Sequence, residues 1–133
     1  MRLQYKVQEN ETSQYVDAMS LCPYICRYFN FPVGHPVIHM GHVCKKMKAC
    51  FIMDGLIMCT IVPPEKLYHP VLPFRCNKKL MFCLCRTSVL TSSTGECRHT
   101  VDEERALNAT WVLDEVRLAV DKSYMILEIY ELY

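Results

Sequence analysis

The sequence predicts an α+β protein that folds as a single domain of mixed helices and strands. A β-like run at Leu56–Val62 ends in two prolines, an amphipathic stretch follows Thr100, and an apolar strand covers residues 124–133. With 133 residues, of which 51% are hydrophobic and 22% are charged, the chain has the length and make-up of one folded domain.

Charge and hydropathy narrow the class of protein. Fifteen basic and fourteen acidic residues give a net charge of +1, which argues neither for nor against a nucleic-acid partner. The apolar runs at residues 56–58 and 125–127 are far shorter than the ~20 residues of a membrane span. The start, MRLQYKVQENE, lacks the apolar segment of a secretion signal. We therefore expect a soluble, intracellular protein with no membrane partner.

The N-terminal third is predicted to contain a short strand, a helix and a loop. Residues 15–16 would end the strand just before Asp17. Pro23 suits the first turn of a helix, because an N–H at that position has no partner within the helix. The helix would reach Phe29 and end before residues 31–36, where two prolines and a glycine enforce a loop.

Two hairpins are predicted in the middle of the chain. Asp54-Gly55 is a favourable turn that would pair residues 49–53 with Leu56–Val62. Asn77-Lys78 would turn a second pair, whose return strand covers residues 79–85.

The C-terminal third is predicted as a loop, one helix and a strand. Residues 87–99 are rich in Ser and Thr and indicate a loop. Thr100 and Glu103 have the spacing of a capping box at a helix start. The strand at residues 124–133 is apolar on both faces, which predicts a central strand, and it stops at the C-terminus as the last strand of a truncated domain would. The helix would carry one apolar stripe, formed by Ala109, Val112, Leu113, Val116, Ala119 and Val120.

Asp17 and the turn that follows it have the residue types of a metal–polyphosphate site. A carboxylate at a strand end supplies the hard oxygen that Mg²⁺ prefers. The turn Ser20-Leu21 leads into the predicted helix, whose first N–H groups can meet phosphate oxygens. The alternative is an ordinary aspartate that caps a turn or is solvated.

The nine cysteines are expected to be mostly reduced, buried thiols, because their number is odd and no export signal accompanies them. Cys83, Cys85, Cys97 and His99 are the possible exception. Three thiols and an imidazole are the ligand types of a structural zinc site, although the one-residue gap between Cys83 and Cys85 is not the usual spacing. Buried thiols without metal are the alternative.

Two basic clusters are candidates for phosphate contacts. One contains Lys45, Lys46 and Lys48, and the other contains Arg75, Lys78 and Lys79 next to the aromatic side chains of Phe74 and Phe82. Solvated surface lysines are the alternative for both.

The segment Asp17-Ala-Met-Ser20-Leu21-Cys22-Pro23 resembles motif A of the family B DNA polymerases, DxxSLYP. The segments FPVGHPVI, LYHPVLPFRCNKKLMF, ERALNATWVLDEV and EIYELY, and the strand ending in VPP, resemble the same lineage. It is the protein-primed type found in viruses, linear plasmids and mobile elements. The resemblance extends over residues 5–133.

The resemblance implies a partial polymerase palm with a β-rich insertion, truncated before the remaining palm motifs. Residues 1–44 would be the start of the palm with motif A, residues 45–99 the β-rich insertion with the Cys-rich loop, and residues 100–133 a helix plus a strand. The implied reaction adds dNTPs to a DNA primer by two-metal phosphoryl transfer. Its implied partners are primer–template DNA, dNTP and a terminal priming protein.

The resemblance also implies roles for individual residues. Asp17 would bind Mg²⁺ as one catalytic carboxylate, and Ser20, Leu21 and Cys22 would line the dNTP site. The second basic cluster, Arg75, Lys78 and Lys79, would lie near the template.

The chain departs from the family in several places. Cys22 replaces the tyrosine that packs under the sugar, which predicts weaker exclusion of ribonucleotides. The motifs KxxxNSxYG and YxDTD do not occur in the 133 residues, so we expect this chain alone to be inactive. The resemblance implies a cysteine at the position where this chain has Ser88, so one implied zinc ligand is replaced. The alternative function is a small cysteine-rich zinc-binding module without catalysis.

Overall fold

A computed structural model describes residues 9–10, 12, 14–31, 33–41, 44, 54–93 and 95–133. The chain divides into two compact units, residues 1–33 and residues 34–133. The mixture of helices and strands confirms the α+β class. In the described residues, none of the helices has the length and apolar character needed to cross a membrane.

The first unit contains one described helix, α1 (Leu21–Tyr28), with Pro23 in its first turn as predicted. It ends at Phe29, whose N–H still bonds to the Ile25 carbonyl at 2.9 Å although its backbone is extended. The short strand predicted at residues 15–16 is wrong. Both side chains are exposed there and no described segment pairs with them, and a strand without a partner is not stable in water.

The second unit contains six strands and three helices among its described residues. A four-stranded antiparallel sheet has the order β1-β6-β2-β5, and β3 pairs with β4 as a separate hairpin. In chain order the elements are β1 (His39–Met40), β2 (Leu56–Val62), β3 (Pro73–Cys76), β4 (Lys79–Phe82), α2 (Arg86–Leu90), α3 (Asp102–Arg105), β5 (Leu107–Val112), α4 (Leu113–Asp121) and β6 (Met125–Leu132).

The core lies on one face of the sheet. Along β2 the alternate side chains Ile57, Cys59 and Ile61 are completely buried, which is the two-residue period of a strand. The buried face of α4 belongs to the same core and brings Val116 and Ala119 into it. Each fully buried aliphatic side chain contributes about 1.5–3 kcal/mol of burial free energy, so this face anchors the unit.

The hairpin predicted at Asp54-Gly55 would pair β2 with residues 49–53, which lie outside the described part of the chain. Among the described residues, β2 has β5 on one side and β6 on the other. Gly55 instead accepts a hydrogen bond from the Leu113 N–H at 3.0 Å, while Leu56 and Tyr133 exchange two backbone hydrogen bonds. Asp54 and Gly55 therefore stand just before β2, which is a central strand of the sheet.

The second predicted hairpin is confirmed. Asn77 and Lys78 have φ values of 49° and 63°, the left-handed conformation that a two-residue type I′ turn requires at both positions. The return strand β4 ends at Phe82, earlier than the predicted residue 85. Trp111 anchors the hairpin to the sheet, since its Nε1–H donates to the Pro73 carbonyl at 2.7 Å.

The single long helix predicted after Thr100 is wrong. The chain forms the short α3, then β5, then α4, and Val101 rather than Thr100 stands at the start of α3. β5 pairs along its whole length with β2, and this pairing overrides a stripe that also fits the helical period. The loop predicted at residues 87–99 is wrong at its start, where α2 forms. The central position predicted for the last strand is confirmed, because β6 lies between β1 and β2.

Candidate functional site

Four polar side chains converge beside α2. Cys85 is the residue before the first turn of α2, and Ser88 lies one turn further along the same helix. Cys97 and His99 come from the segment between α2 and α3. Residues three apart on a helix lie on the same face, so Cys85 and Ser88 both meet the incoming segment. We call Cys85, Cys97 and His99 the Cys-His cluster.

The distances within the Cys-His cluster suit a tetrahedral metal ion. His99 Nδ1 lies 3.5 Å from Cys85 Sγ and 3.5 Å from Cys97 Sγ. A zinc ion at ~2.3 Å from sulphur and ~2.0 Å from nitrogen, with tetrahedral angles, separates these two ligand atoms by about 3.5 Å. All three ligand atoms lie within 4.8 Å of one another. The cluster can therefore hold a metal ion with little rearrangement.

Ser88 occupies the side of the cluster where a fourth ligand would stand. Its Oγ lies 3.4 Å from Cys97 Sγ and 3.4 Å from His99 Nδ1. An oxygen ligand at ~2.0 Å from zinc would be about 3.3–3.5 Å from the other ligand atoms. In the described part of the chain, no other His, Cys, Asp or Glu joins the cluster.

The electrostatics of the cluster favour a thiolate. Cys97 is exposed, and its pKa is lowered to about 6, first because the Ser88 hydroxyl donates a hydrogen bond to its sulphur and then because of hydrogen bonding to His99. Metal ions bind the thiolate and not the thiol, so Cys97 is already in its ligand form near neutral pH. Cys85 is buried and forms the inner wall of the cluster.

Cys83 lies apart from the Cys-His cluster. Its side chain belongs to the hydrophobic core, and burial raises its pKa to about 11, so it remains a neutral thiol. The structure thus brings together three of the four predicted zinc ligands. The alternation that would have placed Cys83 and Cys85 side by side is lost because β4 ends at Phe82 and Cys85 begins a helix.

The predicted polyphosphate site lies in the first unit. Asp17 is exposed in a segment without regular secondary structure, and Ser20 has a left-handed backbone with φ 59° just before α1. Ser20 and Leu21 line a cleft of about 450 Å³, and Cys22 is exposed outside it. The other lining residues are Ala18, Met19, Pro23, Tyr24, Arg27 and Tyr28.

Arg27 is a cleft residue that the sequence analysis did not select. Its guanidinium lies 5.3 Å from the centre of the Tyr28 ring and faces the same cleft as Ser20 and Tyr24. Ser20, Tyr24 and Arg27 are spaced by four and three residues, which is the period of one helix face. Arg27 could have been selected as a cleft residue from this spacing. The cleft therefore has one cation on its wall.

The second basic cluster lies at the tip of the β3–β4 hairpin. Arg75, Lys78 and Lys79 are all exposed there, with the exposed Phe82 on the return strand. Their charges are therefore free to contact a phosphate backbone. Lys45, Lys46 and Lys48 lie outside the described residues.

Comparisons with protein-family models, with curated proteins and with solved structures find no match to this chain.

Proposed function

We propose that the chain is part of a family B DNA polymerase of the protein-primed type. One observation carries the proposal. The exposed carboxylate of Asp17 is followed by a left-handed Ser20 and by the N-terminus of α1, in the order of the motif that the sequence resembles. A carboxylate beside free helix N–H groups suits a metal-bound triphosphate.

Asp17 has the chemistry of a Mg²⁺ ligand. Within the described residues its carboxylate forms no hydrogen bond or ion pair, so both oxygens are available to a cation. Asp17 would hold the Mg²⁺ ion, and the ion would supply Lewis-acid chemistry at the primer 3′-hydroxyl and positive charge beside the triphosphate. One carboxylate does not hold two metal ions. In this proposal the second carboxylate belongs to a YxDTD turn, which these 133 residues do not contain.

The cleft residues would bind the incoming dNTP. Ser20 and Leu21 line the cleft, and Arg27 supplies a positive charge for the triphosphate. Cys22 does not line the cleft, and its place next to the sugar is implied by the resemblance alone; its small thiol would leave room there for a 2′-hydroxyl. The exposed cations at the β3–β4 tip would contact the DNA template, with a terminal priming protein as the second macromolecular partner.

The test is primer extension by a longer protein that contains this chain together with a Lys-bearing helix and an Asp-Thr-Asp turn. Asp17→Asn keeps the size of the side chain but removes its charge, so incorporation should fall by at least about a hundredfold. Asp121→Asn, at the exposed end of α4, is the matched control and should retain activity. Undiminished synthesis by the Asp17→Asn protein contradicts the assignment.

A zinc-binding role is the second candidate, favoured by the geometry of the Cys-His cluster. The ion would tie the segment before α3 to α2, either within the polymerase insertion or in a small binding module without catalysis. Two thiolates and an imidazole are soft ligands of the kind that zinc prefers over Mg²⁺.

Metal analysis of the purified chain tests the zinc site. We expect about one zinc ion per chain, and loss of most of it from Cys97→Ser and from His99→Ala, because each removes a ligand. Cys22→Ser, in the first unit, is the matched control and should keep the ion. Zinc content near zero in the unaltered chain, with stability unchanged by a chelator, contradicts this role.

A further inference from the structure

The Cys-His cluster has three metal-binding side chains and a serine on its fourth side. The Oγ of Ser88 lies 3.4 Å from both Cys97 Sγ and His99 Nδ1. These are the distances of an oxygen ligand, so the Ser88 hydroxyl stands at the fourth ligand position of a tetrahedral ion. Structural zinc sites fill this position with Cys or His, whereas a site with three protein ligands keeps it open to solvent.

A serine hydroxyl is a poor substitute for a thiolate. It remains protonated at neutral pH, and the ordinary protein ligands of zinc are cysteine, histidine and carboxylates. Ser88 donates its hydrogen to Cys97 Sγ, so its oxygen keeps its proton and is a neutral, weak ligand for a metal ion. No other carboxylate, thiol or imidazole in the described ranges is near enough to close the site.

The fourth side of the cluster opens onto a cleft of about 530 Å³. Ser88 and His99 line it, so the cleft reaches the cluster itself. Arg98 places a positive charge on its wall, and Glu96 places one negative charge there. Small ligands from solvent therefore have both space and access. The remaining lining residues are Ser93 and Gly95.

We propose that the metal ion of the Cys-His cluster keeps an exchangeable fourth position, which takes water or a small anion from the cleft. This inference rests on the zinc site proposed above. The two thiolates balance the charge of a divalent ion, so the ion attracts a donor atom as a Lewis acid, and Arg98 supplies the positive charge for an anion. Ser88 is a positioning residue, because its hydroxyl donates to Cys97 Sγ and, as a weak ligand, gives up the fourth position to water or an anion.

Co²⁺ is the probe, because its visible absorption reports the number and type of ligands around it. The full chain is loaded with Co²⁺ and titrated with azide, in the unaltered form and as Ser88→Cys and Ser88→Ala. We expect a saturable shift of the absorption bands by azide in the unaltered chain and also in Ser88→Ala, which should bind Co²⁺ more weakly because Cys97 Sγ loses a hydrogen bond. Ser88→Cys should bind Co²⁺ and Zn²⁺ at least about tenfold more tightly, because a third thiolate closes the site, and it should not respond to azide.

The outcomes separate the open position from the zinc site itself. Co²⁺ bands that do not respond to azide in the unaltered chain overturn the open position but leave the metal site in place. Loss of Co²⁺ binding in Ser88→Ala also overturns it, because Ser88 would then be the fourth ligand. Absence of Co²⁺ bands from all three proteins removes the zinc site and this inference with it.

Discussion

Surroundings decide the chemistry of the individual cysteines. Cys83 is held in the core and its pKa is raised to about 11 by burial, whereas Cys97 is exposed and its pKa is lowered to about 6 by the Ser88 hydroxyl and His99. The sequence indicates which residue types can bind a metal, and three of the four selected side chains do converge. It does not indicate which thiol is buried, because that depends on where β4 ends and α2 begins.

The pKa of Cys97 gives a testable pH dependence in the metal-free chain. Because its pKa lies below the ordinary thiol value, Cys97 is a thiolate above about pH 6 and a thiol below it. Alkylation of Cys97 by iodoacetamide should therefore rise through a midpoint near 6, while Cys83 stays unreactive at neutral pH. The measurement is the rate of modification of each cysteine, followed by mass spectrometry in the presence of a chelator.

Ser88→Ala is the informative variant for this prediction. It removes the hydrogen bond with the largest effect on the Cys97 thiolate, so the midpoint should move to higher pH. An unchanged midpoint would show that Ser88 does not stabilise the thiolate.

At the scale of helices and strands, the features that depend on turn residues and prolines were predicted most reliably. The β3–β4 hairpin, the end of β2 at its two prolines and the place of Pro23 in the first turn of α1 were all predicted. Each depends on local backbone preferences that neighbouring residues determine by themselves. The prediction of one long helix was wrong at β5. That strand is stabilised by pairing with β2, some fifty residues earlier in the chain.

Gly55 provides a test of how β2 begins. Its φ is 150°, and an added Cβ would collide with the backbone carbonyl of Tyr133, which accepts the Leu56 N–H. Gly55→Ala should lower the free energy of unfolding by about 1–3 kcal/mol, because the backbone must shift at a central strand. The measurement is the denaturant midpoint at constant slope.

Gly95→Ala is the matched control for Gly55→Ala. A Cβ there meets nothing within 4 Å, so the free energy of unfolding should change by no more than about 0.5 kcal/mol. Equal midpoints for the two variants would contradict the proposed close approach of Gly55 and Tyr133.

At the scale of the whole molecule, the two units carry different parts of the proposed function. The first unit contains Asp17, the cleft beside α1 and its cation Arg27. The second contains the sheet, the basic hairpin and the Cys-His cluster. The α+β class and the convergence of Cys85, Cys97 and His99 were predicted from the sequence, and the polyphosphate site at Asp17 stays a prediction. The position of Ser88 beside Cys97 and His99 could not be predicted, because only the fold brings these three residues together.

The assignment as part of a polymerase depends on residues that this chain does not contain. A motif A carboxylate needs a second carboxylate and a lysine for the triphosphate, and neither KxxxNSxYG nor YxDTD occurs in the 133 residues. We accordingly expect no incorporation of dNTPs by the chain alone.

The most direct measurement is the sequence of the DNA and transcript downstream of the Tyr133 codon. The polymerase assignment predicts that the reading frame, or a nearby interrupted frame, continues into a Lys-bearing KxxxNSxYG helix and then a YxDTD turn. Downstream sequence with neither motif in any frame would contradict the assignment and would leave the zinc-binding role as the function to be pursued.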